Sequence, residues 1–214
     1  MSFYELQHVC KSYKASENEA VLDDLSLTLN EGEFISVCGV SGVGKSTLLL
    51  IMAGLLSIDS GRIEMNGKDI FSAAPARRAA KIGYMFQRAQ LIQAFTVKEN
   101  LHFIKQLYKD SSVSSDMVLE TLGLTDKADS LPRHLSGGQL RRAALAALWI
   151  RSPRLILLDE PTNDLDEQWT SEIMKLIKQW KKENRTVVLS THNREFAEQA
   201  DNIYTLKNGR LING

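Results

Sequence analysis

The sequence is poor in several features that point to particular classes of protein. Its 214 residues include only two cysteines, Cys10 and Cys38, and equal numbers of basic and acidic residues, 26 of each. A net charge of zero gives no support to nucleic acid as the main partner, because such binding draws on an excess of Lys and Arg. Both cysteines lie in apolar, strand-like stretches, which favours buried reduced thiols over a disulfide framework.

Membrane and export signals are also lacking. The most tempting apolar run, Ile150 to Leu158, is interrupted by Arg151, Pro153 and Arg154, and no run approaches the roughly 20 residues that a spanning helix needs. The opening stretch MSFYELQHVC has neither the basic nor the apolar region of a signal peptide, so none is expected. With 43% hydrophobic and 24% charged residues, the composition is that of a soluble globular protein with a substantial core.

What the sequence does contain is an alternation of strand-like and helix-like segments. Short apolar runs predict strands, and the continuous ones suit a parallel sheet buried on both faces. The predicted strands are Phe3–Val9, Leu25–Asn30, Phe34–Cys38, Arg62–Met65, Ile82–Phe86, Leu155–Leu158 and Thr186–Ser190. Helices are predicted at Lys45–Leu56 and Glu167–Lys182. Between Val97 and Trp149 only helical spacing appears, so βα units are interrupted by a helical insertion of about fifty residues.

A glycine-rich stretch, GVSGVGKST, lies between the strand Phe34–Cys38 and the helix that begins at Lys45. It matches the phosphate-binding loop, Gly39-x-x-x-x-Gly44-Lys45-Ser46. Its glycines let successive backbone N–H groups face one anion, and the next helix presents its positive end to that anion. Lys45 would reach the outer phosphates, and the Ser46 hydroxyl would ligate Mg²⁺. A glycine-rich turn with a chance lysine is the alternative, which the flanking strand and helix disfavour.

Two further stretches carry chemistry. In RLILLDEP a predicted central strand ends in two acids, where ligands bind in open α/β sheets. Asp159 would hold Mg²⁺ through water and Glu160 would act as general base, unless the two acids merely begin a loop. The stretch LSGGQ, Leu135–Gln139, precedes a helical run and offers a second anion site. A chain with one complete phosphate loop has no evident need of a second phosphate-binding site, or cradle.

Together these motifs resemble the nucleotide-binding subunit of ATP-binding cassette (ABC) transporters over essentially the whole chain. Further family motifs follow in the family order: Tyr13 in CKSYK, Gln87 in GYMFQ, NDLD at Asn163–Asp166 and His192 in STHN. The resemblance implies that Tyr13 stacks on adenine and that His192 contacts the terminal phosphate. It also implies that Gln87 links Mg²⁺ and water to a membrane partner, and that NDLD bridges two nucleotide sites.

The resemblance implies an α/β fold of the P-loop NTPase type. A mixed-sheet core would carry a helical subdomain at about 90–150 and a small antiparallel β subdomain, all within one domain of residues 1–214. The cofactors would be ATP and Mg²⁺. Two chains, a homodimer or a pseudo-dimer with a paralogue, would pair head to tail in the ATP-bound state. The LSGGQ signature of each chain would then cover the ATP held by its partner, which explains the second anion site.

The resemblance also implies a separate integral membrane permease, because this chain has no span of its own. The permease would dock near Gln87–Phe95, which places the chain peripherally at the cytoplasmic face of the inner membrane. We expect Leu91, Ile92 and Phe95 to form an exposed apolar cluster there. The alternative is that the three side chains fill the seam between the core and the helical insertion.

The residues expected at the site fall into three sets. The catalytic residues are Glu160, His192 and Gln87, and the metal-binding residues are Ser46, Gln87 and Asp159. The nucleotide-binding residues are Tyr13, Gly39, Ser41, Gly42, Val43, Gly44, Lys45, Ser46, Thr47, Ser136, Gly137, Gly138, Gln139 and Asp166. The other histidines and the pairs Arg77-Arg78 and Arg141-Arg142 are expected to be structural or to face solvent.

Within the family, the sequence is similar to the lipoprotein-release and macrolide-efflux group. It departs from that group where Asn163-Asp164 replaces Gly-Asn, and where Ala147 stands at a common arginine position. The alternative is a cell-division ATPase that regulates a membrane partner without transport. A DNA-repair ATPase would need a long coiled-coil insertion, a translation factor would carry two cassettes, and a metabolic kinase would lack LSGGQ. The chain length and motifs disfavour all three.

Overall fold

The computed structural model describes residues 2–13, 20–87, 90–108, 112–163 and 165–214. The described strands are β1 (Tyr4–Ser12), β2 (Ala20–Leu29), β3 (Phe34–Cys38), β4 (Ser60–Met65), β5 (Lys68–Asp69), β6 (Ile82–Met85), β7 (Leu155–Asp159), β8 (Thr186–Thr191), β9 (Asn202–Lys207) and β10 (Arg210–Asn213). The described α-helices are α1 (Lys45–Met52), α2 (Pro75–Lys81), α3 (Val97–Leu107), α4 (Ser115–Thr121), α5 (Gly137–Arg151), α6 (Glu167–Lys182) and α7 (Arg194–Ala197). Short 3₁₀ turns occur at Ile70–Ser72, Thr125–Lys127 and Pro132–His134.

The strands form two sheets. The larger has six strands in the order β10-β9-β3-β8-β7-β6, parallel except that β10 runs antiparallel to β9. The smaller is an antiparallel sheet of four strands in the order β2-β1-β4-β5. These two sheets confirm the α/β class, the mixed core sheet and the small antiparallel sheet expected from the sequence.

Apolar side chains cover the large sheet on both faces. Along β7, Ile156 and Leu158 face one hydrophobic cluster, while Leu155 and Leu157 face the other, as the two-residue repeat of a strand requires. The first cluster holds residues of α3 to α6, including the fully buried Trp180. The second holds residues of α1 and the antiparallel sheet. With both faces of β7 covered, its acidic side chain, Asp159, stands at the carboxyl end of the strand.

The helices α3 to α5 occupy the chain between β6 and β7 and are fixed by side-chain caps. Thr96 and Glu99 form a reciprocal capping box at the start of α3, and Ser136 and Gln139 form another at the start of α5. Asn100 is buried, and its side-chain amide bonds the backbone of Ile92 and the two residues that precede α3. The loop before α3 is therefore held by a specific polar anchor.

Several boundaries differ from the sequence prediction. The first helix ends at Met52, before the predicted Leu56, because Gly54 turns left-handed at φ 65° and closes the helix. The strand β1 extends to Ser12 because Lys11 and Ser12 still pair with β2. The prediction missed α2, α7, β5, β9 and β10. The turn between β9 and β10 is Asn208-Gly209, with both φ angles positive, a hairpin signal present in the sequence.

In the part of the chain that the structure describes, every helix is too short or too polar to cross a lipid bilayer.

Candidate active site

The phosphate-loop motif connects β3 to α1. Its three glycines have positive φ angles: 153° at Gly39, 81° at Gly42 and 111° at Gly44. A Cβ on Gly39 would lie 2.9 Å from the Leu206 carbonyl, and one on Gly44 would lie 2.7 Å from Val21 Cγ1. Gly42 faces open space and needs glycine for its backbone conformation alone. The loop conformation therefore depends on glycine at each of the three positions.

Lys45, the first residue of α1, points back over this loop. Its ammonium donates to the carbonyl oxygens of Gly39 at 2.7 Å and Val40 at 3.2 Å, and lies 3.5 Å from Glu160 Oε1. The side chain is 7% exposed. A largely buried cation is thus held at the mouth of a backbone cradle, which is an arrangement suited to an anion.

Asp159 ends β7 and is almost fully buried, at 2% exposure. Both carboxylate oxygens accept a hydroxyl hydrogen bond: Oδ1 from Ser190 at 2.6 Å and Oδ2 from Tyr84 at 3.0 Å. Burial, and next the Asp159 charge, raise the pKa of the Tyr84 phenol far above its ordinary range, so it keeps its proton. Sequence reasoning assigned no role to Tyr84 or Ser190, although both lie inside stretches that carry motifs.

Glu160 follows with a left-handed backbone, φ 48°, an uncommon conformation for a residue with a side chain. Its N–H donates to the carbonyl and hydroxyl oxygens of Ser190. Its carboxylate Oε2 lies 2.9 Å from His192 Nδ1, directly beyond β8. The structure therefore brings Lys45, Glu160 and His192 together at the carboxyl ends of neighbouring parallel strands.

Arg141 on α5 connects the helical segment to this centre. Its guanidinium is buried and donates to the Glu160 carbonyl at 2.8 Å and to the Gln87 carbonyl at 2.7 Å. The expected site residues Gln87 and Glu160 are thereby bound to one side chain. Of the alternatives open for the Arg141-Arg142 pair, the structural role is the observed one, because both side chains are buried.

Tyr13 lies beside the helix that follows the phosphate loop. Its hydroxyl is 3.1 Å from Thr47 Oγ1, and the residue is 41% exposed. An exposed aromatic ring at this place can stack on a planar ligand held by the loop. Tyr13 joins the first group of site residues, with Gly39–Thr47, Asp159, Glu160 and His192.

The second anion site is separate from the first. Ser136 to Gln139 line a cavity of about 480 Å³ together with Arg142, Leu165, Asp166 and Trp169, and no residue of the phosphate loop is among the lining residues. The Asp166 carboxylate caps α6 by accepting from Trp169 N–H at 2.8 Å. Arg142 stacks over the Trp169 ring at 3.7 Å, which joins α5 to α6. Asp164 of the NDLD stretch lies outside the described residues.

The apolar cluster expected at Gln87–Phe95 is only partly exposed, and residues 88 and 89 lie outside the described chain. Leu91 is 9% exposed and belongs to the cluster that holds Val97 and Leu101. The expectation that Leu91 faces a partner is therefore wrong; it fills the seam below the loop. Ile92 is 39% exposed, and the Phe95 ring packs edge-on against Phe103 at 5.9 Å.

The donor groups at the first site suit Mg²⁺. Among the described residues, no three His, Cys, Asp or Glu side chains cluster as a self-sufficient metal site. Mg²⁺ is typically bound by few protein oxygens together with water and substrate phosphates. The Ser46 hydroxyl on α1 and the Asp159 carboxylate on β7 provide hard oxygen ligands of this kind.

Comparison with known proteins places the chain in a family. The model of the family described as ABC transporter matches residues 22–163. The chain is 40% identical over 212 residues to the lipoprotein-releasing system ATP-binding protein LolD of Rickettsia typhi, covering 96% of each chain. It is 34% identical to the macrolide export ATP-binding/permease protein MacB of Chlorobaculum tepidum, covering 97% of this chain and 33% of that larger protein.

A solved structure gives the same result in three dimensions. The dimeric post-hydrolysis state of the ATP-binding cassette MJ0796, bound to ADP and Pi, superposes with a TM-score of 0.88 at 31% identity, covering 97% of this chain and 96% of that one. These relatives confirm the resemblance to the lipoprotein-release and macrolide-efflux group and favour transport over the cell-division alternative. The chain belongs to the ABC transporter family and is an ATP-binding cassette ATPase.

Proposed function

We propose that this chain is the ATP-hydrolysing subunit of a membrane transporter and that it works as a head-to-tail dimer with a separate permease. The observation that carries the proposal is the separation of its two anion cradles. The Ser136–Gln139 cradle opens beside Asp166 and Trp169, away from the phosphate loop. The phosphate loop of the same chain does not line this cradle, so a phosphate for it would have to come from another chain. A partner's ATP supplies that phosphate if two chains pair, and the relative MJ0796 is described as dimeric.

In this proposal residues 1–214 form one nucleotide-binding domain, and the helical segment at about 90–150 carries the signature Ser136–Gln139. The loop Gly39–Thr47 holds the phosphates of ATP, and Tyr13 stacks on adenine. Ser46, Asp159 and Gln87 would hold Mg²⁺ directly or through water, and the bound ion would supply positive charge beside the phosphates.

Glu160 is the proposed general base. Its carboxylate accepts a proton from the attacking water, while its backbone is held by Ser190 and Arg141. The carboxylate is hydrogen-bonded to His192 and lies 3.5 Å from Lys45. Arriving phosphates would draw the Lys45 ammonium to themselves and leave Glu160 free to orient water. His192 would then contact the terminal phosphate.

Substitution of the base tests the assignment. Glu160→Gln is nearly isosteric and should abolish turnover while ATP affinity stays within about threefold of the parent, because a base acts on the chemical step. Lys45→Ala should instead weaken nucleotide binding itself. Binding of a fluorescent ATP analogue and phosphate release are measured separately. Glu160→Gln turnover near the parent rate would contradict the role of Glu160, and unchanged affinity in Lys45→Ala would contradict the phosphate-loop assignment.

Mixing two inactive variants tests the dimer. Homodimers of Lys45→Ala and of Ser136→Arg each have two damaged composite sites. A mixed dimer has one site with an intact Lys45 from one chain and an intact Ser136 from the other. ATPase activity should therefore reappear on mixing and rise with protein concentration.

A second readout covers dimers that need both sites for hydrolysis. Light scattering should detect ATP-dependent dimers in the mixture that neither variant forms alone. Both variants must show parent-like melting transitions. If neither activity nor dimers appear on mixing folded variants, the signature does not act on the partner's ATP. Whether the native dimer is a homodimer or a pseudo-dimer follows from the subunits of the purified complex.

The permease is proposed to dock near Gln87–Phe95, with this chain peripheral at the cytoplasmic face of the inner membrane. Ile92 is a better position than Leu91 for testing this surface, because the Ile92 side chain is exposed and its backbone is held by Asn100. Ile92→Glu should abolish co-purification with the permease and keep basal ATPase activity. The matched control is Ile212→Glu on β10, an equally apolar exposed residue. Loss of the permease in both variants, or in neither, would contradict this docking surface. Leu91→Glu is unsuitable because it would disrupt the core.

The relatives also guide the choice of permease. They are named for lipoprotein release, macrolide export and, at 32% identity, hemin import in Staphylococcus haemolyticus. The highest of these identities extends over almost the full length of LolD. We propose a permease of the lipoprotein-release and macrolide-export type, to be identified by mass spectrometry of the native complex. Recovery of a permease of another type would refute this assignment and leave the ATPase proposal intact.

A further inference from the structure

We propose that Tyr84 and Ser190 are positioning residues that fix the plane of the Asp159 carboxylate for Mg²⁺. The inference rests on the proposed role of Asp159. Two hydroxyl groups, from residues outside the motif positions, donate to opposite oxygens of this one buried side chain. Tyr84 and Ser190 are not among the residues of the phosphate loop, the paired acids or the LSGGQ signature, and neither is the histidine expected to contact the terminal phosphate.

The sheet register places the three residues. Asp159 pairs directly with Ser190 across β7 and β8, and Tyr84 on β6 pairs with Leu157, two residues before Asp159. Residues two apart on a strand point to the same face. Tyr84 and Ser190 therefore flank Asp159 from the two neighbouring strands, on the face that carries α1 and Ser46.

The hydrogen bonds restrict rotation of the carboxylate. A carboxylate with one donor can still turn about its Cβ–Cγ bond, whereas donors on both oxygens fix the plane. Ser190 extends the restraint, because its oxygen accepts from the Glu160 N–H at 3.1 Å while its hydroxyl donates to Asp159. The Tyr84 ring is held in turn by an edge-on contact with Phe86, with ring centroids 4.6 Å apart.

The restraint leaves Asp159 able to serve a metal. Each carboxylate oxygen has two lone-pair sites, so one donor on each oxygen leaves room for a second contact. Groups that hold a metal ligand in place commonly change metal affinity or activity by about 10–100-fold when removed. A tyrosine that merely packs in the core would have no such effect on metal binding.

The test removes single hydroxyl groups from the full chain. Tyr84→Phe keeps the ring and its contact with Phe86, and Ser190→Ala removes the second donor. The matched control is Tyr4→Phe, because Tyr4 is also buried and its hydroxyl donates to the Met52 carbonyl at 2.5 Å, in the second hydrophobic cluster. Binding of Mn²⁺, which replaces Mg²⁺ as a visible probe, is titrated by electron paramagnetic resonance with a non-hydrolysable ATP analogue bound.

We expect the half-saturating Mn²⁺ concentration to rise about tenfold in Tyr84→Phe and in Ser190→Ala, and to stay within twofold in Tyr4→Phe. Analogue affinity without metal should not change in any variant. In ATPase assays the half-saturating Mg²⁺ concentration should rise with no change in KM for ATP at saturating Mg²⁺.

The outcomes separate this inference from the proposed function. Unaltered Mn²⁺ curves in folded Tyr84→Phe, with analogue-dependent Mn²⁺ binding in the parent, would refute the role of Tyr84 alone. If Tyr84→Phe does not fold, Ser190→Ala decides in the same way. No analogue-dependent Mn²⁺ binding in the parent, or full binding in Asp159→Asn, would refute the metal role of Asp159 and the positioning inference with it.

Discussion

Replacing Arg141 with alanine should have two effects: it should lower the stability of the protein, and it should displace Glu160. The guanidinium donates to the carbonyl oxygens of Glu160 at 2.8 Å and Gln87 at 2.7 Å. A hydrogen bond from a charged donor contributes about 1.5–3 kcal/mol when buried. The Glu160 bond is buried, whereas the Gln87 bond is partly exposed and contributes about 1 kcal/mol. The free energy of unfolding should therefore fall by about 2.5–4 kcal/mol.

The effect on catalysis follows from the Glu160 backbone. A non-glycine residue in a left-handed conformation is strained by about 1–3 kcal/mol and persists only where its surroundings hold it. Arg141 holds the Glu160 carbonyl, and Ser190 holds its N–H. Without Arg141 the backbone can relax and move the carboxylate. A displacement of about 1 Å at a reacting group can lower the rate about 100-fold, so kcat should fall that far with little change in ATP affinity.

Urea unfolding followed by tryptophan fluorescence measures the first effect, since Trp149 and Trp180 lie in the core. Phosphate release at low temperature measures the second. The control is Arg133→Ala, which removes an exposed arginine and should change stability by less than about 0.5 kcal/mol. Arg141→Lys keeps the charge but loses the forked geometry, so it should recover part of the stability and little of the turnover. An Arg141→Ala protein as stable and active as Arg133→Ala would refute the reasoning.

Three further predictions follow from the site. Gly44→Ala should lower the free energy of unfolding by about 1–3 kcal/mol and should also weaken nucleotide binding. The reason is that the new Cβ would meet Val21 in a backbone held at a φ of 111°. An unchanged melting transition and unchanged binding would contradict this strain. Tyr13→Ala should weaken binding of a fluorescent ATP analogue about 5–150-fold, from the stacking energy of about 1–3 kcal/mol. Tyr13→Phe keeps the ring and loses the hydroxyl that contacts Thr47, so it should bind within about threefold of the parent. Equal affinities in the two variants would exclude stacking. Burial raises the pKa of the Cys38 thiol. Alkylation by iodoacetamide needs the thiolate, so its rate at Cys38 should reach half the maximum above the usual pH of about 8.5. A midpoint below that pH would contradict the raised pKa.

The sequence by itself determined the elements whose signals are local. The spacing of Gly39, Gly44 and Lys45 identified the phosphate loop, because few other uses of the backbone need glycines and a lysine at those intervals. Continuous apolar runs identified the central strands, since only strands covered on both faces lack alternation. The hairpin turn at Asn208-Gly209 was equally legible, although the prediction did not use it.

Tertiary structure alone decided which distant side chains meet. Sequence spacing gives the face of a strand or helix on which a residue lies, but not the partner opposite it. Tyr84 and Asp159 are 75 positions apart, and Arg141 and Glu160 are 19 apart, yet each pair is joined by a hydrogen bond. The burial of Leu91 could not be predicted from the sequence either, because the sequence of a polar loop does not show whether an apolar residue in it faces solvent or the core. These contacts depend on the order and register of the strands, which place neighbours in the sheet that are not neighbours in the chain.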